Sequence, residues 1–189
     1  TNVARDFVEL PSQFMQNWAY EEDWLDTWAF HYITGERIPH EIIQKIRDTS
    51  KFNEGYACNR QLGFGLLDMA WHTINEPFNG DINEFEISAI SKTELFPEVE
   101  SLNMSCSFTH LFSGGYAAGY YGYKWAEILD ADAFKFFSES GIFNPEVADS
   151  FRKNILEKGE TDKPMNLYIK FRGREPSMDA FLERSGLNS

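Results

Sequence analysis

Residues 114–140 read Gly114-Gly115-Tyr116-Ala117-Ala118-Gly119-Tyr120-Tyr121-Gly122-Tyr123, followed by KWAEILDADAFKFFSES. From Tyr116 to about Ser140 this stretch predicts one long helix. On such a helix Tyr116, Tyr120 and Tyr123 stand at i, i+4 and i+7 and share a face. Gly115, Gly119 and Gly122 share a second face at the same spacing. A glycine inside a helix costs about 1 kcal/mol against alanine, so close backbone packing or a hinge must offset three of them. The tyrosines read either as core aromatics at a helix contact or as a row of phenols facing a polar ligand. On the residues alone, packing is the plainer reading.

Helical spacing continues on both sides. From Asp6 to Phe30 the apolar set is Phe7, Phe14, Trp18, Leu25 and Trp28. Pro11 marks a kink or a first turn there. Pro39 opens a helix over His40–Ser50 with Ile42, Ile43 and Ile46 as its stripe. Another runs from about Asn53 to Ile74, with Tyr56, Leu62, Leu66, Met69 and Ala70 inward. Residues 75–80 (NEPFNG) read as a loop. A helix from Asp81 ends near Phe96-Pro97. Residues 100–113 are less regular, and 108–112 are extended or a short helical turn. Asn144-Pro145-Glu146 is a helix start, with Asn as cap and Pro in the first turn, and that helix ends near Gly159. Lys163-Pro164 starts another. A last short helix follows Glu175-Pro176-Ser177 and ends at Gly186. No strand alternation, repeat or linker interrupts this pattern, so residues 1–189 are expected to form one all-α domain.

The bulk numbers narrow the function. The chain has 189 residues, 42% of them hydrophobic and 16% aromatic, enough for a sizeable core. Its net charge is -13, which argues against a nucleic-acid partner and against an anionic membrane surface. No run of about 18 apolar residues is present to span a bilayer. Two cysteines, Cys58 and Cys106, make no disulfide framework, although one bridge between them stays open. The first residue is Thr1 rather than Met, so the chain is expected to start inside a longer one, and its compartment is open between cytoplasm and periplasm.

No complete catalytic centre stands in these residues. The histidines are His31, His40, His72 and His110. None lies four residues from another, so no helix offers a His pair to a metal. There is no HExxH, Cys/His cluster, GxSxG or P-loop. Asp6 and Glu9, at i and i+3, could hold a metal or form a solvated face, and the solvated face is the plainer reading.

Four stretches in order carry a resemblance. Thr1-Asn2 with Arg5-Asp6-Phe7-Val8-Glu9-Leu10-Pro11-Ser12-Gln13 resembles the TN…RDFVE(F/L)PSQ segment of peptidyl-dipeptidases. Leu67-Asp68-Met69-Ala70-Trp71-His72 fits the same group. His110 through Trp125 resembles its H…GGYAAGYY.Y.W stretch, and Phe171-Arg172-Gly173-Arg174-Glu175-Pro176 its FRGREP. The chain therefore resembles the thimet oligopeptidase, oligopeptidase A and peptidyl-dipeptidase family of zinc metallopeptidases, nearest to the peptidyl-dipeptidases. The resemblance implies the multi-helix C-terminal part of that catalytic domain, with the HExxH-bearing part upstream.

It also implies roles. Glu9 matches the third zinc ligand of one zinc ion per complete site, and Asp6 a residue that orients it. His110, Tyr116 and Tyr123 match residues that donate hydrogen bonds to the peptide and to the developing oxyanion. Gly114 and Gly115 would let the segment close over substrate, with Tyr120 a weaker contact. Arg172 and Arg174 would dock a substrate carboxylate or form ion pairs that fix the last helices. The implied activity is zinc-dependent hydrolysis of short peptides with release of C-terminal dipeptides, this chain alone being inactive and free of zinc. An endo-acting oligopeptidase, or a non-catalytic helical domain that binds peptide, are the alternatives.

Overall fold

Among the described residues, two helices start at a side-chain cap and two end at a left-handed glycine. The structure, a computed structural model, describes residues 2–97 and 102–187; Thr1 and the first two residues of the irregular 100–113 segment lie outside the described residues. The helices are α1 (Leu10–Gln16), α2 (Glu22–Leu25), α3 (His40–Ser50), α4 (Glu54–His72), α5 (Ile82–Ile90), α6 (Thr109–Phe112), α7 (Gly122–Ser140), α8 (Pro145–Phe151), α9 (Pro164–Arg172) and α10 (Asp179–Ser185). A 3-10 turn, Asn17–Tyr20, follows α1, and a π-helical turn, Arg152–Leu156, follows α8. Among the described residues there is no strand, only an isolated bridge between Phe30 and Arg37. The all-α class is confirmed.

The caps are those the residues favour. Asn144 accepts from the Glu146 and Val147 amides, ahead of Pro145 in the first turn of α8. Asp81 accepts from the Glu84 amide at α5. Gly173 and Gly186 close α9 and α10 at φ +82° and +66°, where a Cβ would be strained.

Four expectations are corrected. The stretch from Asp6 to Phe30 is not one helix: Pro11 sits in the first turn of α1, and Glu21 turns extended before α2. The break has a local cause. The Asn17 side chain donates to the Phe14 carbonyl at 2.9 Å, competing with the helix ladder. On α3 only Ile43 of the three isoleucines is buried. On α4 the inward face is Gly63, Phe64, Leu67 and Asp68, whereas Tyr56, Leu62, Leu66 and Met69 are exposed. Gly63 explains part of that rotation, because a Cβ there would come within 2.8 Å of Thr93 Oγ1. The helix from Asp81 stops at Ile90, whose carbonyl accepts from the Thr93 hydroxyl at 2.8 Å.

The chain divides into two compact units, one of residues 1–54 with 125–189 and one of residues 55–124. No linker advertises either boundary, because one falls at the start of α4 and the other inside α7. The core of the first unit gathers Phe7, Leu10 and Phe14, then Leu129, Ala133 and Phe137 from α7, with Phe151, Ile155, Leu167, Tyr168 and Phe171. Leu129, Ala133 and Phe137 recur every four residues, one face of α7. Phe14 stacks on Phe151 at 4.2 Å between ring centroids.

Two buried carboxylates of α7 tie this unit together. Asp130 binds Arg184 (2.6 Å) and the Asn17 amide (2.7 Å). Asp132 accepts from the Tyr168 hydroxyl at 2.7 Å and pairs with Arg172 and Arg174. Burial, and then the Asp132 carboxylate, push the Tyr168 phenol far above its ordinary value of 10.0. The unfolded chain ionises this phenol near pH 10 while the folded one holds its proton. Stability contributed by Tyr168 is therefore complete below pH 10 and falls as pH rises beyond it. Urea midpoints measured from pH 8 to 12 are expected to decline above pH 10, and Tyr168→Phe is expected to flatten part of that decline.

Candidate functional site

In the second unit the double glycine ends α6 abruptly. The Ser113 and Gly114 amides both donate to the Thr109 carbonyl, at 2.8 and 2.6 Å, and the Tyr116 amide donates to the His110 carbonyl at 3.1 Å. Gly115 takes φ +82°. A Cβ on Gly114 would stand 2.8 Å from the His110 Cα, so only glycine lets the chain fold back here. Of residues 108–112, left open between strand and turn by their sequence, Thr109–Phe112 form the short helix α6 and Phe108 stands at its N-cap position.

The stretch from Tyr116 to Tyr121 is a series of turns, and α7 begins only at Gly122. This corrects the expectation of a helix from Tyr116. The three tyrosines nevertheless come together, on a turn rather than on a helix face. Tyr116 stacks on Tyr123 at 4.9 Å, and Tyr120 meets Tyr123 edge-on at 5.2 Å. The His110 ring lies 5.8 Å from Tyr116, 6.1 Å from Tyr120 and 6.5 Å from Tyr123. His110 is exposed and the three tyrosines are half-buried. Phe108 and Phe64 back the cluster through Tyr120.

Such a cluster presents phenol O–H groups and one imidazole beside solvent, a set of hydrogen-bond donors suited to carbonyl or carboxylate oxygens. Burial, followed by the neighbouring Tyr123, raises the Tyr120 phenol above its ordinary value, with Arg60 and Gln61 opposing. It therefore remains a donor at neutral pH.

The turn is held by a residue to which the sequence reading gave no role. Asp68 is fully buried in α4. Its Oδ1 accepts from the Ala118 amide at 2.9 Å and its Oδ2 from the Tyr120 amide at 2.8 Å. His72 Nδ1 stands 2.8 Å from Asp68 Oδ1. The available signal was one carboxylate inside the otherwise apolar run Leu66-Leu67-Asp68-Met69-Ala70.

Asp6 and Glu9 belong to the first unit. They lie in the turn before α1 rather than on one helix face, and both are half-buried. Glu9 is the residue at the N-cap position, and the Ser12 hydroxyl donates to its carbonyl at 2.9 Å and toward its Oε2 at 3.3 Å. Among the described residues no three His, Cys, Asp or Glu side chains group as a metal centre. Glu9 presents a single carboxylate, one oxygen-donor group of the kind a metal can take.

Arg172 and Arg174 converge on Asp132, at 3.2 and 2.5 Å, and the Arg172 guanidinium also lies 4.8 Å over the Phe136 ring. The ion-pair alternative describes this arrangement. An open cleft of about 1030 Å³ in the same unit is lined by residues such as Gln13, Arg47, Asp130 and Arg184. Its Asp130–Arg184 and Lys135–Glu183 pairs satisfy one another.

The family model described as Peptidase family M3 matches residues 1–187. Oligopeptidase A of Escherichia coli is 43% identical over 188 residues, covering 99% of this chain and 28% of that protein. Probable cytosolic oligopeptidase A of Arabidopsis thaliana is 42% identical over 191 residues, covering 98% of this chain and 27% of that protein. Dipeptidyl carboxypeptidase of Escherichia coli is 38% identical over 190 residues, covering 100% of this chain and 28% of that protein. The chain thus spans little more than a quarter of the length of these relatives. Among the described residues, no helix is long and apolar enough to cross a membrane.

Proposed function

The chain belongs to peptidase family M3, and from that premise we propose that it is the substrate-binding part of a zinc-dependent peptidase that hydrolyses short peptides and releases C-terminal dipeptides. The observation that carries the reading is the cluster of His110, Tyr116, Tyr120 and Tyr123, donors gathered beside solvent on an aromatic base. His110, Tyr116 and Tyr123 donate hydrogen bonds to the peptide carbonyl as negative charge develops on its oxygen. Donors fixed in place before the reaction are worth most there, because they need no reorganisation. Tyr120 and the Gly114-Gly115 turn shape the wall beside the bound chain.

In this proposal Glu9 contributes one carboxylate oxygen to zinc, Asp6 orients it, and an HExxH-bearing part of the same protein supplies the other ligands. The zinc, when bound, provides a Lewis acid and a reactive water. Short peptides are the substrates. The net charge of -13 favours neither a nucleic-acid nor an anionic membrane partner.

One observation favours a second reading, an endo-acting oligopeptidase. Relatives named oligopeptidase A are 42–43% identical to this chain, against 38–39% for those named dipeptidyl carboxypeptidase. Peptide hydrolysis with added zinc, on this chain and on the chain extended upstream through an HExxH, separates the readings. Activity in the extended form alone, with dipeptides released, fits the first. Internal cleavage fits the second. Silence in both forms would leave a non-catalytic peptide-binding domain. Titration calorimetry of the isolated chain with zinc is expected to show no tight site, since one carboxylate is a poor ligand set; a stoichiometric, tightly held zinc would contradict the ligand assignment.

A further inference from the structure

Ala118 has φ +50°, a left-handed conformation in which a non-glycine residue is held at a cost of about 1–2 kcal/mol. It stands in the middle of the turn that carries Tyr116 and Tyr120. Something must over-determine that conformation, and the structure shows what does. The Ala118 and Tyr120 amides, on either side of Gly119, converge on the two oxygens of one carboxylate, that of Asp68. The carboxylate is fully buried and rises from α4, which ends in the aromatic residues Trp71 and His72. His72 Nδ1 lies 2.8 Å from both Asp68 Oδ1 and the Asp68 carbonyl, two acceptors, so this nitrogen carries the proton and donates. Three N–H groups thus fix the Asp68 side chain, and the side chain fixes the turn.

We propose that Asp68 is a positioning residue for peptide hydrolysis: it locks the 116–120 turn so that the Tyr116, Tyr120 and Tyr123 rings assemble around His110. This inference rests on the function proposed above. The chemistry is specific to a carboxylate. Two backbone donors arrive on two separate oxygens, so both oxygens must accept. An asparagine in the same volume would turn an NH2 group toward one of those amides, leaving two donors face to face in a buried place. His72 orients the carboxylate and is itself only partly buried, so its loss frees Asp68 to rotate without removing either acceptor.

The test is Asp68→Asn in the full-length protein, with Tyr123→Phe and the double variant alongside. Misplacement of reacting groups by about 1 Å can cost about 100-fold in rate, and Asp68→Asn is expected to lower kcat by about that factor while KM changes little. In the double variant the two losses are expected to overlap rather than multiply, because both act through the same cluster. Amide hydrogen exchange across residues 116–121 is expected to quicken in Asp68→Asn, while exchange in α9 stays as it was. Unchanged exchange in the turn, or losses that simply multiply, would overturn the positioning role. If Asp68→Asn quickens exchange but Tyr123→Phe leaves kcat untouched, the peptidase reading of the cluster fails and the clamp is structural only. His72→Ala is the milder variant should Asp68→Asn fold poorly, and a faster-exchanging turn is expected there too; unchanged exchange counts against the clamp.

Discussion

Replacing Tyr123 by phenylalanine in the full-length protein is expected to lower kcat for a short peptide by about 100- to 1000-fold, with KM little changed. The substitution keeps the ring that stacks on Tyr116 at 4.9 Å and meets Tyr120 at 5.2 Å. Only the hydroxyl is lost. If that hydroxyl binds the ground-state peptide and the transition state equally, KM rises and kcat stays. If it acts on charge that develops only during reaction, kcat falls and KM does not, and the missing donor is worth about 3–4 kcal/mol. Steady-state kinetics on a peptide with a fluorescent leaving group distinguishes the two. A kcat equal to that of the parent protein would remove Tyr123 from the chemistry and leave it a packing residue, the plainer reading of a tyrosine row in sequence.

The tyrosine row also shows where sequence reading succeeds for an incidental reason. Spacing of i, i+4 and i+7 predicts one helix face, yet residues 116–121 are turns. The rings meet because the Asp68 carboxylate captures the Ala118 and Tyr120 amides, contacts 50 and 52 residues apart in sequence that no local pattern encodes. Periodicity served better where burial alone decides. Leu129, Ala133 and Phe137 lie on a single buried face of α7, and Asn144, Gly173 and Gly186 act as the caps their chemistry favours. It served poorly on α4. There an apolar set at good spacing, Leu62, Leu66 and Met69, faces outward, because burying Asp68 and the bare backbone of Gly63 turns the opposite side in. Hydrophobicity ranks residues by transfer cost and has no means to see that a carboxylate with three N–H partners belongs inside. The metal role proposed for Glu9 rests on the resemblance alone, since its sequence neighbourhood and its half-buried turn both suit an ordinary acid.

Asp132→Ala is expected to destabilise the first unit by about 3–5 kcal/mol in urea denaturation, the cost of breaking a buried pair from one side. Asp132 is 1% exposed and takes the Tyr168 hydroxyl, Arg172 and Arg174. Removing it leaves the Arg172 side chain, 11% exposed, with its charge uncompensated, although Tyr168 keeps the Leu129 carbonyl at 3.1 Å. Arg174 is 45% exposed, and Arg174→Ala is expected to cost less than about 1 kcal/mol because water can serve the lost partner. The asymmetry bears on function. A guanidinium that docked a peptide carboxylate would have to leave Asp132 for the substrate, and Arg174→Ala would then raise KM for peptides with a free C-terminus while sparing amidated ones. The expected result is the same KM for both kinds of peptide, with the penalty confined to the stability of Asp132→Ala. A KM penalty specific to the free carboxylate would instead mean that Asp132 holds Arg174 only until substrate arrives, and that the Phe171–Pro176 segment belongs to the binding site as well as to the core.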